Sequence, residues 1–90
     1  MIKKFIKKPI EPIVVEAVQF RGDNLTEIKQ FVKSVGILYY DANKGWIYIE
    51  NLEKIERGGI GSWIVKGINK EFYFVQDDIF RETYEEVVEK

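Results

Sequence analysis

The segment Ile13–Phe20, IVVEAVQF, constrains the fold of this chain more than any other. Its β-branched content marks a strand. Strand side chains alternate between two faces, so Ile13, Val15 and Ala17 look one way and Val14, Glu16, Val18 and Phe20 the other. Both sets are largely apolar, which places the strand centrally in a sheet. Glu16 shares its face with three hydrophobes. If both faces are covered, an unpaired carboxylate there costs several kcal/mol or titrates high. Two readings follow for Glu16. It grips a ligand amine or a base edge, or it is structural, paired with Lys66 or Arg21 or set at the sheet rim.

The segment RGDN breaks this strand and prepares a helix. Asn24 is a capping residue and Glu27, three positions on, completes a capping box. Leu25, Ile28, Phe31, Val32 and Val35 repeat at the spacing of one helix face, and Gly36 supplies the left-handed stop. Beyond it come short strands. Ile37–Tyr40 and Trp46–Glu50 flank the turn DANKG, and a further strand covers Leu52–Arg57 before Gly58-Gly59 turns the chain. Ser62–Lys66 and Glu71–Gln76 form a second hairpin across GINK. A helical turn runs from Asp77 or Asp78 to about Tyr84, and Glu85–Val88 returns as a last strand. The order predicts an α+β domain: a small curled antiparallel sheet or half-barrel of five to seven strands, closed by one main helix, with a short C-terminal helical turn.

Ninety residues make one domain, 1–90, in which residues 1–8 are a first or edge strand or a loose basic arm. A chain of this size buries only about 60–65% of its unfolded surface. The aromatic content, 14%, compensates by filling core volume. There is no cysteine and no histidine. The first excludes disulfides and thiolate metal sites, and the second removes the commonest general base and transition-metal ligand. Carboxylates and lysines are what remain for catalysis, so the chain is expected not to be an enzyme and to need neither metal nor cofactor.

The formal net charge is −1, which gives no global pull toward nucleic acid or a membrane. Charge is uneven, with Lys3, Lys4, Lys7 and Lys8 at one end and Asp77, Asp78, Glu82, Glu85, Glu86 and Glu89 near the other. Four lysines among apolar residues form a weak phosphate arm, and neutralisation of adjacent termini explains them better. No stretch of about 18 apolar residues is present to span a bilayer. The opening MIKKFIKK is broken by Pro9, Glu11, Pro12 and Glu16, unlike a signal peptide.

Three groups of residues are candidates for binding. The first is Glu16. The second is Trp63, Lys66, Glu71, Phe72 and Tyr73, on a hairpin bracketed by Gly61 and Gly67. Rings there would stack on a base while lysine meets a phosphate, although alternation along the hairpin equally suits a core, above all for Phe72 and Phe74. The third is Tyr39, Tyr40, Trp46 and Tyr48. If Ile47 and Ile49 face the core, these aromatics are exposed in the manner of an interface hot spot, and otherwise they are the core themselves. The pairs Asp77–Asp78 and Glu85–Glu86 fit helix capping and solvation better than metal binding. Arg57 before Gly58-Gly59 is a lone arginine of little weight, and GGIG lacks the lysine and spacing of a phosphate loop.

The start KKFIKKPIEPIVVEAVQFRGDN resembles a family of small proteins encoded by tailed bacteriophages and prophages. The second half continues the likeness: Gly61-Ser62-Trp63-Ile64-Val65-Lys66-Gly67, then Lys70-Glu71-Phe72-Tyr73, Asp78-Ile79-Phe80 and Thr83-Tyr84-Glu85. Ser62 stands where the family usually has Asp, and Phe74-Val75-Gln76-Asp77 replaces a stretch that commonly carries Pro and Cys. The resemblance implies a phage or prophage origin and the host cytoplasm, without one shared activity. The resulting expectation is a non-enzymatic binding protein that acts on a host or phage protein, as a counter-defence or host-takeover accessory. The alternative is a binder of a small anionic aromatic, nucleotide-like ligand. A minor virion component, a carboxylate-only enzyme and a homo-oligomer stay open, and nucleic acid is disfavoured by the charge.

Overall fold

The computed structural model describes residues 2–8, 13–51 and 54–87. The elements run β1 (Lys3–Lys7), β2 (Val14–Gln19), α1 (Leu25–Phe31), β3 (Tyr39–Asp41), β4 (Trp46–Asn51), β5 (Lys54–Gly58), β6 (Trp63–Lys66), β7 (Phe72–Val75), α2 (Asp77–Thr83) and β8 (Tyr84–Glu86). The strands form two sheets, a five-stranded one in the order β7-β6-β2-β1-β8 and a three-stranded one in the order β3-β4-β5. Every pairing is antiparallel. Leu52, Glu53 and Val88, which the sequence assigns to strands, lie outside the described residues.

The two apolar faces of β2 explain the layering. Val15 and Ala17 join Phe5, Val65 and Phe80 in one cluster, which α2 covers. Val18 and Phe20 point the other way and join Ile64 and Phe72, Ile28, Phe31 and Val32 of the α1 segment, and Ile47 and Ile49 of β4. The five-stranded sheet is therefore a middle layer, with β2 at its centre as its composition requires. Burial of these side chains, each contributing about 1.5–3 kcal/mol, is the main stabilising force.

A single curled sheet or half-barrel does not form. The run Gly58–Ser62 leaves β5 and crosses to β6 without making a ladder, so the β3–β5 meander closes on itself as a second sheet. The two sheets meet where the Phe74 ring occupies the space a side chain at Gly58 would need. The expected main helix is also short, seven residues, the same length as α2.

Residues Lys3–Lys7 are neither a loose arm nor an edge strand, because β1 lies between β2 and β8. Phe5 anchors it in the core at 5% exposure while Lys3, Lys4 and Lys7 point to solvent. Gly36 takes φ +79° as the stop requires, and its N–H bonds Val32 O at 2.7 Å. Asn24 sits at the N-cap of α1 but makes no side-chain cap bond. It closes the RGDN turn instead: its Oδ1 accepts from Arg21 N–H at 2.8 Å and its Nδ2 donates to Gln19 O at 2.8 Å and Glu27 Oε1 at 2.9 Å.

Candidate functional site

The hairpin of β6 and β7 does not assemble the aromatic-and-lysine site that its residue types suggest. Alternation sends Trp63 and Tyr73 to the α2 side of the sheet, where they pack on Phe80, Phe5 and Val65. Lys66 lies on the opposite face, paired in register with Phe72, its Nζ 6.0 Å from that ring's centroid. The sheet itself separates the rings from the cation. Phe72 is core at 1% exposure, and Phe74 packs against the same cluster.

Trp63 and Tyr73 are held by specific partners. The indole stacks on Phe80 with centroids 4.2 Å apart and meets Phe5 edge-on at 5.2 Å. Its Nε1–H donates to Asp77 Oδ1 at 2.8 Å. The Tyr73 and Tyr84 hydroxyls are 3.1 Å apart and share a hydrogen bond. Burial pushes the Tyr73 phenol well above its usual range, and the bond to Tyr84 adds to the shift.

Asp77 departs from its expected capping role. Gln76 occupies the N-cap of α2 and makes no side-chain cap bond. Asp77 instead gathers donors from three elements: the Trp63 indole, Gln19 Nε2 at 3.3 Å, and Arg81 Nε at 2.9 Å. The indole bond first, then Arg81, hold its carboxyl below the usual aspartate range. Asp78 Oδ1 accepts a local bond, from Ile79 N–H at 2.8 Å. Glu85 and Glu86 are exposed, and Glu86 pairs with Lys3 at 3.3 Å. Among the described residues no group of three or more acidic, His or Cys side chains is placed to hold a metal.

Glu16 is exposed although it lies on the central strand. The layer formed by α1 and the three-stranded sheet reaches Val18 and Phe20 and stops there, leaving Val14 at 47% exposure and Glu16 beside it. No burial cost arises, and its register partner is Lys66 on β6. Glu71 is held differently. Its carboxylate presses on Gly67, where an added Cβ would collide with it, and its Oε2 is buried with no hydrogen-bond partner among the described residues. It lines a small cavity of about 190 Å³ with Lys7, Ile13, Tyr73 and Tyr84.

The aromatic strand β4 resolves the remaining alternatives. Ile47 and Ile49 are fully buried, so Trp46 and Tyr48 face outward. Register extends this outer face sideways, setting Tyr39 beside Tyr48 and Tyr48 beside Arg57, with Ile55 opposite Glu50. Tyr39 and Tyr48 have ring centroids 5.8 Å apart, and the Arg57 guanidinium lies 4.4 Å over the Trp46 ring. Tyr39 and Ile55 are 58% and 59% exposed. Tyr40, grouped with these rings by sequence, turns inward and meets Phe20 edge-on. Where this outer face approaches the start of α2, a cleft of about 480 Å³ is lined by Trp46, Arg57, the Gly58–Ser62 loop, Phe74, Gln76 and Asp77.

Of the seven candidate residues, Trp46 and Tyr48 come together on one surface, Trp63 and Tyr73 lie on the α2 face, Glu16 and Lys66 are register partners across β2 and β6 on the opposite face, and Glu71 stands apart at Gly67. Arg57 is the member that sequence reading undervalues. Its partnership with Trp46 becomes visible only when β4 and β5 are aligned through Tyr48↔Arg57, since period-two alternation then puts all three on one face. No protein-family model, no curated protein and no solved structure matches this chain. Among the described residues no helix is long and apolar enough to cross a membrane.

Proposed function

We propose that this chain is a non-enzymatic binding protein of a bacteriophage or prophage, acting in the host cytoplasm by docking on a host or phage protein. The observation that carries the docking reading is the outer face of β3–β5. Its inner isoleucines are fully buried while Tyr39, Trp46, Tyr48 and Arg57 stand outside on a rigid three-stranded support. Tyr, Trp and Arg are the residue types that dominate interface energetics. They lose little conformational freedom on binding when neighbouring rings already hold them. The likeness of the KKP, VEAVQF and TYE segments to phage proteins supports the origin. The lack of histidine and cysteine supports the non-enzymatic part.

The test is a pull-down from infected-cell extract with the wild type and with Tyr48→Ala, followed by rebinding of the identified partner as purified protein. The expected result is a partner that rebinds the wild type and loses most of its affinity for Tyr48→Ala, while that variant stays folded with only a modest drop in melting temperature. Equal binding by both forms, or no partner that rebinds, overturns the reading.

A further inference from the structure

The Trp46–Arg57 cleft is built in advance of any ligand. Its loop is rich in glycine, yet three sets of contacts fix it. Ile60, the apex residue, is 61% exposed overall, but its Cδ1 lies only 3.0 Å and 2.8 Å from where Cβ atoms at Gly22 and Gly45 would stand. It is thus seated against two turns whose glycines, at φ +90° and +69°, leave it room. On its C-terminal side the loop is bonded to the end of β2, Gly61 N–H to Phe20 O at 2.7 Å and Phe20 N–H to Ser62 O at 2.9 Å. At its base Phe74 packs over Gly58. A cleft with walls held this way loses little freedom on binding, and its size is in the usual range for small-molecule sites.

The charge left over in the cleft is positive. Asp77 lines it, but that carboxylate already receives the Trp63, Gln19 and Arg81 donors. Arg57 has the Trp46 ring beneath it and no carboxylate partner among the described residues. Its planar fork of donors is matched to a phosphate or carboxylate. Trp46 and Phe74 offer apolar aromatic surface beside it, and Ser62 and Gln76 offer neutral polar groups that can read the edge of a ring.

We infer that this cleft binds a small planar anion with the size and chemistry of a nucleoside 5′-monophosphate. Arg57 takes the phosphate, the aromatic walls take the base, and Gln76 and Ser62 supply its polar contacts. The cleft shares Trp46 and Arg57 with the docking face, and Tyr48→Ala, a change outside the cleft, separates the failure of one reading from the failure of the other.

The experiment is a titration of isotope-labelled protein with AMP, GMP, CMP and UMP, followed by amide and indole NMR resonances. The four matching nucleosides and inorganic phosphate serve as separate arms. At least one nucleotide should move the Trp46 indole and the Gly59 and Gly61 amides saturably, and leave the Trp63 indole in place. The corresponding nucleoside and phosphate alone should bind more weakly by about tenfold or more, as should the nucleotide to Arg57→Gln. Melting of Arg57→Gln should match the wild type, because the side chain is exposed. The inference is overturned if none of the four nucleotides gives a saturable shift. It is equally overturned if phosphate alone binds as well, or if Arg57→Gln binds them as the wild type does.

Discussion

The indole N–H of Trp63 donates to Asp77 Oδ1 at 2.8 Å, and through this bond the first turn of α2 is fastened to β6 of the five-stranded sheet. Arg81, one turn further along α2, closes on the same carboxylate at 2.9 Å and 3.0 Å. A carboxylate in this position serves the fold only when ionised. Its titration in the folded protein is lowered, by the indole bond first and by Arg81 next. A lowered value means that the folded state releases this proton more readily than the unfolded chain. The stabilisation is therefore complete above the ordinary aspartate value of about 4, and it is lost as pH falls from there through the lowered folded value. Asp77→Asn should lower the melting temperature at neutral pH and flatten the acid limb of a melting-temperature-against-pH profile. An unchanged acid limb would show that Asp77 is not the group responsible.

Ile47 and Tyr48 are neighbours on β4 with opposite fates. Ile47→Ala empties a fully buried site and should cost about 2–5 kcal/mol, a large share of the about 5–15 kcal/mol that holds a domain together. Tyr48→Ala removes an outward ring that touches Tyr39 and should cost at most about 1 kcal/mol. Urea unfolding of the two variants measures the contrast, and a reversed order would place the aromatic side in the core.

Gly58 sits under the Phe74 ring, and no side chain fits between the two sheets there. Gly58→Ala should destabilise by about 1–3 kcal/mol, the usual consequence of overpacking. Shortening the ring in the background, as Gly58→Ala with Phe74→Leu, should make the alanine markedly less harmful. A double-mutant cycle in urea reads this coupling, and strict additivity would mean that the two residues do not meet.

Tyr73 should ionise well above the ordinary tyrosine range. Its raised value means that the fold favours the neutral phenol. That contribution is full below the unfolded tyrosine value of about 10 and is lost as pH climbs through the higher folded value. Alkaline ultraviolet titration of Tyr73→Phe should lack the highest step. Tyr84→Phe should move that step down only in part, because burial, the larger cause, remains.

Much of this architecture is written locally. The two apolar faces of Ile13–Phe20 predict a central strand, and β2 is one. The spacing of Leu25, Ile28, Phe31 and Val32 predicts the buried helix face, with Val35 falling outside it at 41% exposure because the helix proper ends at Phe31. What is not local is harder to read. Glu16 has the same alternation as Val18, and only the reach of the covering layer separates a buried position from an open one. Trp63 and Lys66 look like one site in sequence because they are three residues apart, yet that odd spacing puts them on opposite faces of a strand. Arg57 and Trp46 look unrelated because their pairing depends on strand register. The two sheets meet where Phe74 finds Gly58, a contact between residues 16 positions apart that no single-strand pattern announces.

One of the two shortest strands has the widest consequence. β8 contributes only three residues, but it covers the flank of β1 that β2 leaves unpaired, and backbone bonds from Val87 N–H to Lys4 O at 2.9 Å and from Lys8 N–H to Thr83 O at 2.6 Å hold the two together. A protease cut at the end of α2 would bare that flank, with its N–H and C=O groups ready to pair with a second molecule. With β8 in place, this edge of the sheet belongs to Tyr84, Glu85 and Glu86, a short acidic segment of the kind that discourages strand addition. β8 is thus the guard of this one edge, while β7 forms the other edge of the same sheet.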